Sequence, residues 1–337
     1  MDLLSIERTL GNLLNPHPNQ TFSQSGAHSL GYLDAPVVGD KEWLNEALHK
    51  QTRVILLGGK GRNDIAYLHQ CLPPGVELLL QSRDENNSVV TYRYDGDSEQ
   101  CYDVQPLEDM PSPLAAGVET LFIIAGLGGG TGTPQSQVLA CDDSKKNIPT
   151  FALVSLPFEF EGERLPYAES ARAVLERCSD GCLSFRNEEL IGFFGEEEKL
   201  AKAFDAHKQW LAHALLTIKG LADGSHIRHI INSVGRGNRL QMGFGKASGP
   251  NRVKHALSAA LENPLLKEMS RHSAHAAVVL SSSVLPSDNE MEQAKKMATY
   301  VLASDCKVTV NALRDPRMRD DLYVTFFLFD NVHSPSE

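Results

Sequence analysis

The residues of this chain best suited to chemistry are the glycines and threonines of Gly126-Leu127-Gly128-Gly129-Gly130-Thr131-Gly132-Thr133. Without Cβ atoms, the glycines let the backbone approach an anion closely. Successive N–H groups can then form a concave nest, and threonine hydroxyls add hydrogen bonds. The run follows Thr120–Ala125, an apolar β-favouring stretch, and precedes Gln137–Ala140, which reads as the opening of a helix. A strand, a glycine loop and a helix N-terminus with its positive dipole end form a phosphate-binding geometry. Nucleotide binding is therefore the first expectation. The run is not a P-loop, because no Lys-Ser/Thr pair follows its last glycine. Pro134 removes one N–H beside the nest but is well tolerated in a first helical turn.

A second glycine segment, Gly58-Gly59-Lys60-Gly61-Arg62-Asn63, follows the apolar run Arg53–Leu57 and leads into a helical segment through Cys71. It lacks the spacing of a dinucleotide fingerprint. Val76–Leu80 and Thr150–Leu156 read as further strands. Strands alternating with helices imply an α/β fold with a doubly wound parallel sheet, whose ligands sit at the carboxyl ends of the strands. Both glycine segments fall at such ends. The 337 residues exceed a comfortable single core and imply two domains. A net charge of -11 argues against nucleic acid and against direct docking on anionic lipid. No apolar run reaches the ~20 residues of a membrane span, and the N-terminus does not read as a signal peptide, so a cytoplasmic location is expected. The cysteines show no zinc-site spacing and read as buried or incidental thiols.

Gly-Gly-Gly-Thr-Gly-Thr after a hydrophobic strand resembles the signature loop of the tubulin/FtsZ superfamily of GTP-binding filament proteins. The resemblance extends along residues 53–330. It implies a GTP-binding domain over 51–195, a central helix over 196–220, a smaller α+β C-terminal domain over 221–330, an N-terminal extension over 1–50 and a short tail over 331–337. Gly58, Gly59, Lys60, Gly61, Arg62 and Asn63 are similar to the family's first nucleotide-contacting loop, with Lys60 and Arg62 replacing two glycines. Gly128, Gly129, Gly130, Thr131, Gly132 and Thr133 take the phosphate loop. Pro157-Phe158-Glu159-Phe160-Glu161-Gly162 resembles the family's Pro-Phe-x-Phe-Glu-Gly, which gives Glu161 a place at the ribose or base. The family's next arginine falls on Leu165, with Arg164 adjacent as a substitute. Asn187 matches the asparagine that hydrogen-bonds the guanine edge.

Lys199–Lys219 reads as a helix with an apolar stripe of Leu200, Ala203, Phe204, His207, Leu211, Ala214, Leu215 and Ile218. By resemblance this is the helix joining the two domains, with Phe204 stacked on the guanine and Gln209 where an aspartate reads the base. Gly243–Gly249 and Asn263-Pro264-Leu265-Leu266 are also similar to FtsZ segments. GTP or GDP is the implied ligand, with room for Mg²⁺ beside its phosphates.

The stretch after the helix departs from the family. FtsZ writes its catalytic loop as Asn-x-Asp-x-x-Asp and lends it to a neighbour's nucleotide. Here Leu221-Ala222-Asp223-Gly224-Ser225-His226 keeps only Asp223, and His226 replaces the last aspartate. Neutral imidazole is a poor partner for Mg²⁺, and losing one positioning group costs about 10²–10⁴ in rate. The expectation is a protein that assembles head to tail, with itself or a related FtsZ-like subunit, hydrolyses GTP weakly or not at all, and serves membrane remodelling or division through a membrane-bound partner. One alternative is an assembly-dependent GTPase in which Asp223 is catalytic and His226 orients water. A remote alternative, suggested by the sheet alone, is a nicotinamide-dependent oxidoreductase.

Overall fold

A computed structural model of the protein describes residues 52–73, 75–94, 96, 117–142, 147–189, 200–224, 226–266 and 273–333, without the side chains of 200–203 and 317. The N-terminal extension expected over 1–50 lies outside these residues. The chain divides into two compact units, and the division falls between Leu240 and Gln241.

The first unit contains β1 (Thr52–Leu57), α1 (Gly58–Cys71), β2 (Val76–Arg83), β3 (Val89–Tyr94), β4 (Thr120–Gly126), α2 (Gly132–Cys141), β5 (Thr150–Leu156), α3 (Arg164–Cys178), β6 (Gly181–Arg186), α4 (Leu200–Asp223) and α5 (His226–Val234). Its strands lie in the order β3-β2-β1-β4-β5-β6. Pairing is parallel from β2 through β6. The strands are near-continuous apolar runs, as helices on both faces require. On one face Ile55, Leu57, Ile123 and Val154 pack with Leu139 of α2 and Leu175 of α3. Side chains of the other set include Phe122 and Phe151, both fully buried, with ring centroids 5.8 Å apart. Burying each such ring contributes about 1.5–3 kcal/mol.

β3 was not expected. It is an antiparallel edge strand on β2, with Arg83 opposite Val89. Its sequence, Val-Val-Thr-Tyr-Arg-Tyr, is only partly buried, as an edge strand allows.

The second unit holds the rest of β7 (Asn238–Ala247), with α6 (Arg252–Leu261), β8 (His275–Ser282), α7 (Asp288–Val301), β9 (Lys307–Arg314) and β10 (Leu322–Asn331). β8 pairs parallel with β9 and antiparallel with β10, the mixed sheet of an α+β unit. Its core gathers Leu257, Val278, Leu280, Ala298, Phe326 and Leu328. The glycines of Gly243-Phe244-Gly245 have a packing role: a Cβ on either would lie 2.1 or 2.2 Å from a backbone carbonyl of α6. Asn263 closes the following turn, donating to the Phe244 carbonyl at 2.9 Å and accepting from the Leu265 N–H. Ser287 and Glu290 form a capping box on α7. Arg252 beside Glu290 holds that carboxyl down to about 2.

The reading of the cysteines as thiols is corrected at one pair. Cys141 ends α2, Cys178 ends α3, and the two form a disulfide with Cα atoms 5.1 Å apart. The helices lie side by side, which brings together two residues 37 apart in sequence. Cys71, Cys182 and Cys306 are buried, and burial pushes the Cys182 thiol up, with Glu176 adding to the shift. A cross-link spanning 37 residues restricts the unfolded chain and contributes about 2–4 kcal/mol. Urea unfolding with and without reductant should show that difference, and a Cys141→Ser/Cys178→Ser double variant should show none. Identical curves for the unaltered protein would discard the bond.

Candidate nucleotide-binding site

β1 and β4 lie side by side, and the chain leaves them in opposite directions, β1 toward β2 and β4 toward β5. Such a switch point opens a crevice at the carboxyl ends of the strands. Both glycine segments meet there. Gly58 adopts φ +68°, and a Cβ on it would lie 3.3 Å from the Gly132 nitrogen. A Cβ on Gly132 would lie 2.7 Å from the Gly126 carbonyl oxygen. The two segments therefore touch backbone to backbone at Gly58 and Gly132, where a side chain has little room. Gly59, Gly129 and Gly130 differ, since a Cβ on any of them would meet nothing within 4 Å. Their main chains front open space.

That space is a cleft of about 790 Å³, within the range of pre-formed ligand sites. Gly58, Gly59, Lys60, Asn63, Gly129, Gly130, Thr131 and Gly132 line it from the glycine segments. Glu161, Arg164, Asn187 and Phe204 line it from later elements. Residues more than a hundred positions apart are thus brought together. Glu161 ends a 3-10 turn, accepts the Phe158 N–H at 2.8 Å and pairs with Arg164. Arg164 also donates to the Gly128 carbonyl at 3.2 Å, so this pair is tied to the glycine loop. Leu165 packs against the core instead. Phe204 is partly exposed and meets Phe158 edge to face at 6.4 Å.

Other expected residues sit elsewhere. The segment 58–63 is not a loop, because α1 starts at Gly58. Lys60 and Arg62 are better helix formers than the glycines they replace. Gly61 presses on β1, with its Cβ position 2.9 Å from Leu56 atoms, and does not line the cleft. Gly128 packs near Pro157 and Arg164, and Thr133 is fully buried, accepting the Gly128 N–H at 2.8 Å. Both shape the loop from behind. Arg62 lines a smaller neighbouring hollow. Gln209 is not among the lining residues. Helical geometry turns it about 140° around α4 from Phe204, whereas His207 and Lys208, at i+3 and i+4, share the Phe204 face.

His207 was legible only as part of an apolar stripe. It is 1% exposed, and its ring sits 5.0 Å from that of Phe185. Its Nδ1 lies 3.2 Å from the Lys60 ammonium, which in turn pairs with Asp64 at 2.8 Å. A lysine donates to an acceptor nitrogen, so the proton of the neutral ring belongs on Nε2. Burial holds the imidazole well below its usual value near 6.5, and the charges of Lys60 and Lys208 push the same way.

Asp223 and His226 are not brought to the cleft. The expected loop is largely helical: α4 runs to Asp223, with Leu221 fully buried, and α5 begins at His226. Leu221 extends the apolar stripe, which keeps the helix going. The Asp223 carboxylate pairs with Lys219 at 2.5 Å. At 1.5 Å per residue, Asp223 lies about 28 Å along α4 from Phe204. Among the described residues, no cluster of three metal-ligating side chains occurs. The cleft carboxylates of Asp64 and Glu161 are both ion-paired, so any Mg²⁺ would be held chiefly by phosphate oxygens and water.

The depressed His207 value predicts a pH dependence. Below about pH 6.5 the unfolded chain takes up a proton that folded His207 refuses, so stability is full above that pH and falls on acidification. This one group should contribute up to about 1.4 kcal/mol per pH unit. Urea midpoints between pH 7.5 and 5.5 should fall less steeply for His207→Gln than for the unaltered protein; equal slopes would refute the assignment.

Residues 113–195 match the family model described as tubulin/FtsZ family, GTPase domain, and residues 239–330 match FtsZ family, C-terminal domain. The cell division protein FtsZ of Pseudomonas putida is 28% identical over 299 residues, covering 81% of this chain and 74% of that protein. The FtsZ of Coxiella burnetii is 28% identical over 301 residues, covering 82% and 77%. Among solved structures, an empty FtsZ dimer from M. jannaschii superposes with a TM-score of 0.67 at 21% identity, over 88% of this chain and 93% of that one. CetZ2 from Haloferax volcanii, a GTPγS-bound protofilament, gives 0.58 at 17% identity, over 86% and 95%. Two family models in the expected order, on a sheet whose switch point carries both glycine segments, place the chain in the tubulin/FtsZ superfamily.

Proposed function

We propose that the protein binds GTP in the 790 Å³ cleft and assembles head to tail, with itself or a related FtsZ-like subunit, while hydrolysing GTP weakly or not at all. The observation that carries this reading is the separation along α4. A chain whose only remaining loop carboxylate stands about 28 Å from its own cleft depends on another subunit for catalysis. That carboxylate is engaged by Lys219, and the asparagine of the family motif is replaced by buried Leu221. Both changes remove water-orienting groups.

In the nucleotide reading, the main-chain N–H groups of Gly59, Gly129 and Gly130 take phosphate oxygens. Phe204 offers an aromatic face, and the Asn187 amide both donates and accepts at a base edge. Glu161 approaches the ribose or base, braced by Arg164. CetZ2, related in fold, is a GTPγS-bound protofilament, which supports both nucleotide binding and assembly. A cytoplasmic filament recruited to a membrane by a separate partner fits a chain in which no described helix is long and apolar enough to span one. The second reading, an assembly-dependent GTPase, draws on the retained Asp223. A nicotinamide-dependent oxidoreductase has only the sheet in its favour.

Gly132→Ala should weaken GTP binding at least tenfold while far-UV circular dichroism is unchanged, since its Cβ would collide with the Gly126 carbonyl. Unaltered affinity would place the ligand elsewhere. Phosphate release should be slow, should rise per subunit with protein concentration, and should vanish in Asp223→Ala with GTP binding retained. A rate that is independent of concentration would remove the neighbour from the mechanism.

A further inference from the structure

At the carboxyl end of β2 a second hollow, of about 330 Å³, opens beside the glycine segments. Gly58, Gly59, Asn63 and Thr131 line it and also line the main cleft, so the two spaces share a wall. The other wall is Arg62, Ser82 and Arg83, and no carboxylate lines it. In a chain of net charge -11, two guanidinium groups converging on one small space run against the average.

Arg83 is held in place. Its Nε donates to Thr131 Oγ1 at 3.2 Å and its Nη2 to the Gly130 carbonyl at 3.3 Å. Its Nη1 donates to the backbone and side-chain oxygens of Asn87 at 2.8 and 3.1 Å. Those bonds use four of the five N–H groups, leaving the positive charge fixed against the phosphate loop. Arg62 donates to Ser82 Oγ at 2.5 Å. Asp84, next in sequence, accepts the Ser88 N–H at 2.8 Å within its own turn. Planar guanidinium groups fixed beside main-chain N–H groups favour a doubly charged phosphate over any neutral ligand.

We propose that Arg62 and Arg83 set the choice between nucleoside triphosphate and diphosphate, because the hollow they line receives the terminal phosphate. The protein itself then supplies the positive charge that a nucleotide-bound Mg²⁺ would otherwise provide. This rests on the cleft being the nucleotide site. The pairing of both cleft carboxylates with cations supports it, since neither is left to hold a metal.

Equilibrium binding of the full chain to GDP and to the non-hydrolysable β,γ-imido analogue of GTP, in EDTA and in Mg²⁺, tests the proposal. The unaltered protein should prefer the triphosphate analogue at least tenfold in EDTA. Arg83→Gln should lose most of that preference while GDP affinity changes less than about twofold. Arg62→Gln, whose bond to Ser82 leaves the glycine loop untouched, should behave likewise and guards against a loop disturbed by the Arg83 change. Equal weakening for both nucleotides in both variants would make the arginines clamps alone and overturn the proposal. So would a preference that appears only with Mg²⁺. An unaltered protein that binds neither nucleotide overturns the cleft reading and this proposal with it.

Discussion

The site depends on the backbone contact between the start of α1 and the start of α2. A side chain at Gly58 would press on Gly132 across the two segments, and one at Gly132 would collide with the carbonyl of Gly126 in its own loop. Parallel strands hold the ends of β1 and β4 at a fixed spacing, and buried apolar runs lock the strands in register. With the contact made, two helix N-termini and the main chains of Gly59, Gly129 and Gly130 border one space. The other cleft-lining side chains are arranged around that shared border.

The electrostatics follow the same economy. The cleft carries Lys60, Arg164 and Lys208, which are matched to Asp64, Glu161 and Asp205. A bare cation in a partly buried site would be costly, whereas a paired one is positioned and loses mobility. His207 stays neutral beneath Lys60, so it adds polarity without adding charge that would repel the lysine. Arg83 is steadied by oxygens of the loop it neighbours. Positive charge is thus fixed before any ligand arrives, which lowers the reorganisation that binding an anion requires.

The parts of this arrangement set by hydrophobic pattern were legible in the sequence. Thr120–Ala125 and Thr150–Leu156 are apolar because they are buried on both faces, and the glycine runs that follow β1 and β4 mark where the backbone must pass close to a neighbour. The parts set by contact across the fold were not legible. Cys141 and Cys178 meet because α2 and α3 lie side by side, which no spacing encodes. β3 hides in a half-polar edge strand. Arg83 escaped notice because the strand reading stopped at Leu80, while β2 runs three residues further and carries it to the hollow beside the glycine segments. Gln209 was placed by alignment to a family position, but the helix phase favours His207 and Lys208.

Helix α4 ties these observations to the level of assembly. Its first described side chains line the cleft, and its last turn carries Asp223, so one rigid rod fixes the distance between them. Extending the helix through Leu221 buries more apolar surface, which stabilises the rod while shortening the polar segment that follows it. The Lys219–Asp223 pair gains from the same change, because residues four apart face each other only in continuous helix. The apolar residue that firms up the end of the helix, Leu221, stands where the family's loop carries an asparagine, so greater helix stability and the proposed weakness of hydrolysis share one structural origin.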